Sequence, residues 1–143
     1  MNREAVDTSV VVAALLGWHE DHEAACKALE RSLIAERLVV PAPVLVEAYA
    51  VMTRLPSPHR LGPVDAAALL RDTFVGIETV ALDGGEVWKL IGDLEAGQVA
   101  GGRSYDGHIF ACARKAGARR LLTLNERDFL ALGDHEIEIV RPE

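Results

Sequence analysis

The sequence predicts a single α/β domain, residues 1–143, built on a parallel sheet of five short strands. Short apolar runs alternate with longer stretches of helical periodicity along the chain. Capping and breaking residues fall between the two kinds of segment, where turns are required. The composition, 50% apolar and 26% charged over 143 residues, suits one domain with a core of its own.

Ala5-Val6 is a strand candidate ending at Asp7. Ser9 to Leu16 and His22 to Glu36 read as helices; in the second, Ala25, Leu29 and Leu33 recur four apart on one face. Leu38-Val39-Val40 is a strand stopped by Pro41. Ala42 to Arg54 is a helix entered through prolines, as first turns allow. Pro56-Ser57-Pro58 breaks the chain, and Pro63 to Phe74 is the next helix. Glu78 to Ala81 is a strand. Asp83 then caps a helix running to about Ala96. After the glycine-rich loop Gly97 to Gly102, Ser104 or Tyr105 opens a helix that Gly117 closes. Leu121-Leu122-Thr123 is a strand, Arg127 to Leu132 a short helix, and Ile137 to Val140 the last strand. Strands that alternate with helices form a parallel sheet covered on both faces, with right-handed crossovers. Ligands then bind beyond the carboxyl ends of the strands, near the reversal of strand order.

That rule gives meaning to four acids. Asp7 follows the first strand directly. Asp106 lies in the first turn of a returning helix. Asp128 follows the fourth strand by a short loop. Glu47 lies roughly 9 Å down the helix after the second strand, within reach of the same edge. Converging carboxylates repel and hold their protons unless a cation sits among them. Hard divalent ions take oxygen ligands and can activate water against a phosphodiester. Alone, Asp7 or Asp106 also reads as a helix cap, and Asp128 as a first-turn acid favoured by the helix dipole. Glu47 sits in the apolar stretch Val44-Leu45-Val46-Glu47-Ala48-Tyr49-Ala50, where an unpaired Glu is rare.

Bulk properties exclude several classes. The longest apolar run, Val10 to Leu16, is too short for a membrane span, and Glu4 and Asp7 precede it, unlike a signal peptide. A cytoplasmic protein is expected. Cys26 and Cys112 form no C-x-x-C or zinc spacing and read as small buried thiols. A net charge of −7 argues against a protein that coats nucleic acid, though not against a nuclease whose acids hold cations.

At these acids the sequence resembles the PIN-domain family, and within it the VapC-type toxins of bacterial toxin–antitoxin pairs. Val6-Asp7-Thr8-Ser9-Val10-Val11-Val12 is similar to the family's first motif. Pro41-x-x-Val44-Leu45-x-Glu47 is similar to the second, Tyr105-Asp106-Gly107-His108-Ile109-x-Ala111-x-Ala113 to the third, and Leu121-Leu122-Thr123-x-Asn125-x-x-Asp128-Phe129 to the fourth. The resemblance covers essentially the whole chain, in order. It implies a three-layer α/β/α sandwich with Asp7, Glu47, Asp106 and Asp128 as the catalytic, metal-binding acids. Thr8, Ser9, Thr123 and Asn125 would be their polar support. It further implies dependence on Mg2+ or Mn2+, endonucleolytic cleavage of RNA by a metal-activated water, a homodimer, and a cognate antitoxin that blocks the groove. Family members differ in which acid or amide completes the last motif, a place that Asn125 and Asp128 share here.

Other features have two readings each. Gly97 to Ser104 nearly matches a P-loop, but Arg103 replaces the lysine and a helix precedes it in place of a strand. The loop instead offers close approach to a substrate backbone, with Arg103 touching phosphate, or is plain exposed loop. His19-Glu20-Asp21-His22-Glu23 has the composition of a metal cluster, but it lies at a helix entry and reads as a solvated helix start. His108, one turn from Asp106, faces the groove or packs elsewhere. Arg54, His59 and Arg60 flank a proline break and either meet RNA or lie in solvent. Arg114, Lys115, Arg119 and Arg120 read as a solvated surface. Val44, Leu45, Ala48 and Met52, with Leu69 and Leu70, exceed one core's needs or simply fill it. Three other functions compete. A covalent phosphatase of the haloacid-dehalogenase kind wants an Asp where Ser9 stands. A DNA nuclease would use the same acids. A catalytically silent binding module would not need them.

Overall fold

A computed structural model describes residues 2–132 and 136–143. Its strands are β1 (Glu4–Val6), β2 (Leu38–Pro41), β3 (Glu78–Val80), β4 (Arg120–Leu122) and β5 (Glu138–Val140). They form one sheet in the order β3-β2-β1-β4-β5, every pair parallel. The helices are α1 (Thr8–Leu15), α2 (His22–Ile34), α3 (Ala42–Arg54), α4 (Pro63–Phe74), α5 (Gly84–Ala96), α6 (Arg103–Lys115) and α7 (Glu126–Leu130). α1 to α4 pack on one another, as do α5 to α7, and α3 also meets α6. The right-handed crossover rule sends the two groups to opposite faces of the sheet, giving three layers. The predicted α/β/α sandwich is the fold found.

The core follows from the strands. β1 and β2 are wholly buried, as central parallel strands covered on both faces must be. The edge strands β3 and β5 contain no buried residue. Val6, Val39, Val40 and Leu121 from the sheet pack with Val10, Val11, Val44, Met52, Ile109 and Phe129 from the helices. Asp83 caps α5 through a reciprocal box: its carboxylate accepts from Glu86 N at 2.8 Å, and Glu86 accepts from Asp83 N at 2.9 Å. Gly117, at φ +72°, ends α6 in the left-handed conformation that the C′ position favours. No helix among the described residues is long and apolar enough to cross a membrane.

Several expectations need correction. α1 begins at Thr8, one residue early, because Asp7 itself occupies the N-cap. β4 ends at Leu122, although Thr123 N still donates to Val140 O at 3.0 Å while its hydroxyl turns to Asp7. Val44, Ala48 and Met52 are fully buried, so they are core and no surplus. Exposed large apolar side chains include Ile34, Val46, Val64, Val75, Trp88 and Ile91. Lys115 is tied to Glu86 (2.5 Å) and Ala81 O (2.9 Å), and Arg120 sits in β4 between Glu4 and Glu138 (3.4 Å each); neither is simply solvated. Cys112 is buried as expected, whereas Cys26 is half-buried and donates to Ala14 O. The near-P-loop follows α5, so the strand–loop–helix context of a phosphate loop is missing there.

Candidate active site at the carboxyl edge of the sheet

Strand order reverses between β1 and β4, and the chemistry-bearing residues collect beyond the carboxyl ends of those two strands. The reason lies in Asp7. Leaving β1 in extended conformation (φ −95°, ψ 176°), it enters α1 as N-cap. Its Oδ1 accepts from Val10 N (3.2 Å) and from Ser9 Oγ (2.6 Å). Its Oδ2 accepts from Thr123 Oγ1 at 2.5 Å. Each hydroxyl is held in turn by a backbone N–H of the segment after β4: Leu124 N donates to Ser9 Oγ (2.9 Å), and Asn125 N to Thr123 Oγ1 (2.8 Å). Asp7 is therefore a helix cap and a fixed carboxylate at the sheet edge at once. Burial pushes its pKa up, and the bonds from Ser9, Thr123 and Val10 oppose that only in part.

A cavity of about 450 Å3 opens above this cradle. Asp7, Thr8, Ser9, Glu47, Asp106 and Asn125 all line it. α3 supplies Glu47, half-buried, and the first turn of α6 supplies Asp106. Asp106 is pushed up to about 6, first by burial and then by the charges of Asp128, Asp7 and Glu47; Arg103 alone pulls it down. That dependence puts all four acids within electrostatic reach of one point. Asp128 is exposed on α7 and stands outside the cavity lining, so it contributes through its charge. Asn125, at the N-cap of α7, makes no side-chain cap bond, which leaves its amide available to the cavity.

Of the expected substrate-binding residues, Arg103 acts on Asp106 from the start of α6. His108 and Arg54 lie outside the cavity lining. His59 stacks on Trp18 with ring centroids 4.2 Å apart, and Arg60 donates to Leu55 O, so neither is a plain solvated loop residue. Four further lining residues lie outside the motifs that pointed to the site: His19, Glu20, Asp21 and Arg141. The first three have the composition of a solvated helix start. In fact the α1–α2 turn walls the cavity, His19 Nδ1 accepting from Asp21 N at 3.0 Å. Arg141 follows β5. It donates to Leu124 O (2.7 Å) and pairs with Glu126 (3.4 Å) and Asp21 (3.8 Å). The strand-end rule that located Asp7, applied to β5, points to Arg141 as well.

Among the described residues no three His, Cys, Asp or Glu side chains enclose a metal ion directly. The donor set nonetheless suits a hard divalent cation. Burial, and after it the charges of Asp128, Asp7 and Glu47, lift Asp106 above its ordinary value, and a cation would relieve the repulsive part of that load. The Thr8 hydroxyl, buried in the cavity wall, has no hydrogen-bond partner. Ions of this kind need only one or two carboxylates and keep several waters, so a closed cage is not required.

The PIN domain family matches residues 5–134. Ribonuclease VapC40 of Mycobacterium tuberculosis is 42% identical over 92% of this chain and 91% of its own length. Two solved structures share the fold. The sarcin-ricin loop cleaving toxin VapC20 of Mycobacterium tuberculosis has a TM-score of 0.70 and 20% identity, covering 94% of this chain and 98% of its own. DNA-bound VapBC from Salmonella typhimurium has a TM-score of 0.69 and 19% identity, covering 99% and 98%. A family match from the first strand to beyond α7, joined to close identity with VapC40 over nearly the full length, places this chain in the PIN-domain family.

Proposed function

We propose that this protein is a metal-dependent endoribonuclease, the toxin of a toxin–antitoxin pair, acting in the cytoplasm with Mg2+ or Mn2+. The observation that carries this reading is the gathering of Asp7, Glu47 and Asp106, from three different elements, on the wall of one open cavity. Identity with a protein named a ribonuclease supports RNA as the substrate. The structural likeness to VapBC assemblies is compatible with an antitoxin partner.

In this reading Asp7 and Asp106 hold the cation, with Glu47 and Asp128 adding negative charge around it. When bound, the ion supplies positive charge opposite the phosphodiester and lowers the pKa of water so that it can attack at neutral pH. The residues of the chain do the rest. Ser9 and Thr123 lock the Asp7 carboxylate so that it need not reorganise as charge develops. The Asn125 amide and the Arg141 guanidinium offer donors at the cavity wall, where a phosphate oxygen would lie. A homodimer is proposed through the uncovered face of α5, which contributes no buried residue and exposes Trp88 and Ile91.

The test is incubation of the purified protein with structured RNA and with single- and double-stranded DNA, each with Mg2+, with Mn2+ and with EDTA. Metal-dependent cleavage confined to RNA is expected. Cleavage of DNA alone would replace this reading with a DNA nuclease, and no cleavage of either would leave a silent module.

A further inference from the structure

A second cleft, about 460 Å3, lies against β4 and β5 beneath α2. Arg31 of α2, Arg37 before β2, Arg120 of β4 and Arg141 after β5 all line it, against only Glu4 and Glu143. Four guanidinium groups thus gather in one cleft of a chain whose net charge is −7. They fall into two kinds. Arg120 is fixed between Glu4 and Glu138, and Arg141 by Leu124 O, Glu126 and Asp21. Arg31 and Arg37 are exposed, and neither side chain has an ion-pair or hydrogen-bond partner among the described residues. Arg141 also lines the acid cavity, so the two depressions meet at its side chain.

We propose that this arginine cleft is the track along which an RNA strand continues from the acid cavity, its phosphates neutralised by Arg31 and Arg37 and its turn out of the cavity set by Arg141. The proposal rests on the ribonuclease reading. An acidic cavity repels the polyanion it must process, so the binding free energy has to come from cations nearby. Arginine forks match phosphate oxygens in pairs, and interactions of this sort need no base sequence. Continuity with the cavity favours a nucleic-acid strand over an acidic protein segment, since a substrate strand must pass both places.

The test compares an Arg31→Gln/Arg37→Gln pair with an Arg71→Gln/Lys89→Gln pair, which removes the same charge from residues lining neither cleft. Both are made in an Asp7→Asn background to stop cleavage. Binding of a fluorescent single-stranded oligoribonucleotide is followed by anisotropy across a salt series. The first pair should bind more weakly and depend less steeply on salt. The log–log slope should be shallower by about 0.7 for each phosphate no longer neutralised, about 1.4 for both. The control pair should keep the parent affinity and slope. Equal behaviour of the two pairs overturns the proposal. Unchanged RNA binding joined to weakened binding of poly-glutamate also overturns it and assigns the cleft to an acidic protein segment. Cleavage by the otherwise unaltered protein is measured in parallel. Its absence removes the ribonuclease reading, while the anisotropy decides the cleft independently.

Discussion

Thr123 Oγ1 donates to Asp7 Oδ2 at 2.5 Å, across 116 residues of sequence, and it does so fully buried. The same hydroxyl accepts from Asn125 N. One side chain therefore joins the exit of β4 to the first acid of the site. Thr123→Val keeps the shape but strands both the carboxylate oxygen and the N–H. A loss of about 1–3 kcal/mol is expected by urea denaturation. Metal affinity should fall about 10–100-fold, as when other groups that orient a ligand are removed. Thr123→Ser should recover most of both.

Asp7→Asn and Asp106→Asn should each lower cleavage at least about a hundredfold while the circular dichroism spectrum stays native, since catalysis of this kind is mostly preorganised charge. Their stabilities should differ in an informative way. Asp106 is held above its ordinary pKa by burial and then by its acidic neighbours, so an amide there removes an unfavourable charge. Without metal at neutral pH, the Tm of Asp106→Asn should exceed that of the parent protein. A lower Tm would show that Asp106 is stabilised by partners other than those described.

The dependence on pH follows from the same shift. Asp106 has a folded pKa of about 6 against 3.8 in a model compound. Between those values the folded state binds more protons than the unfolded chain, so this group's contribution to stability declines as pH rises and is fully lost above about 6. A divalent cation offsets the loss by binding the ionised form. Added Mg2+ or Mn2+ should therefore raise the Tm more at pH 7.5 than at pH 5. An equal or larger rise at pH 5 would contradict a site built on these carboxylates.

The α5 face supplies a fourth test. Trp88 is 76% exposed and Ile91 50%. Trp88→Glu/Ile91→Glu should move the protein from dimer to monomer in sedimentation equilibrium and leave the helix content unchanged. A parent protein that is already monomeric at tens of micromolar would remove α5 as a self-association face.

Much of this is legible in the sequence because local signals agree. The prolines at the start of α3 and α4 and the cap at Asp83 mark the beginnings of those helices. The strand-end rule puts Asp7 and Asp106 on one rim. What escapes a reading of the sequence is the outcome of tertiary packing. His19 and Asp21 look like any polar helix entry until α2 folds against α1 and carries the turn over the cavity. Arg141 carries no motif and matters only because β5 lies beside β4. Thr123 reads as one more strand residue, and only the pairing of β4 with β1 brings its hydroxyl to Asp7.

The order β3-β2-β1-β4-β5 puts the earliest strand in the middle of the sheet, flanked on one side by a strand made much later. A nascent chain emerging from the ribosome consequently carries Asp7 long before it carries Thr123, Leu124 and Asn125, the residues that fasten it. Through most of its synthesis the polypeptide therefore carries Asp7 without the hydroxyl and backbone groups that hold its carboxylate in place.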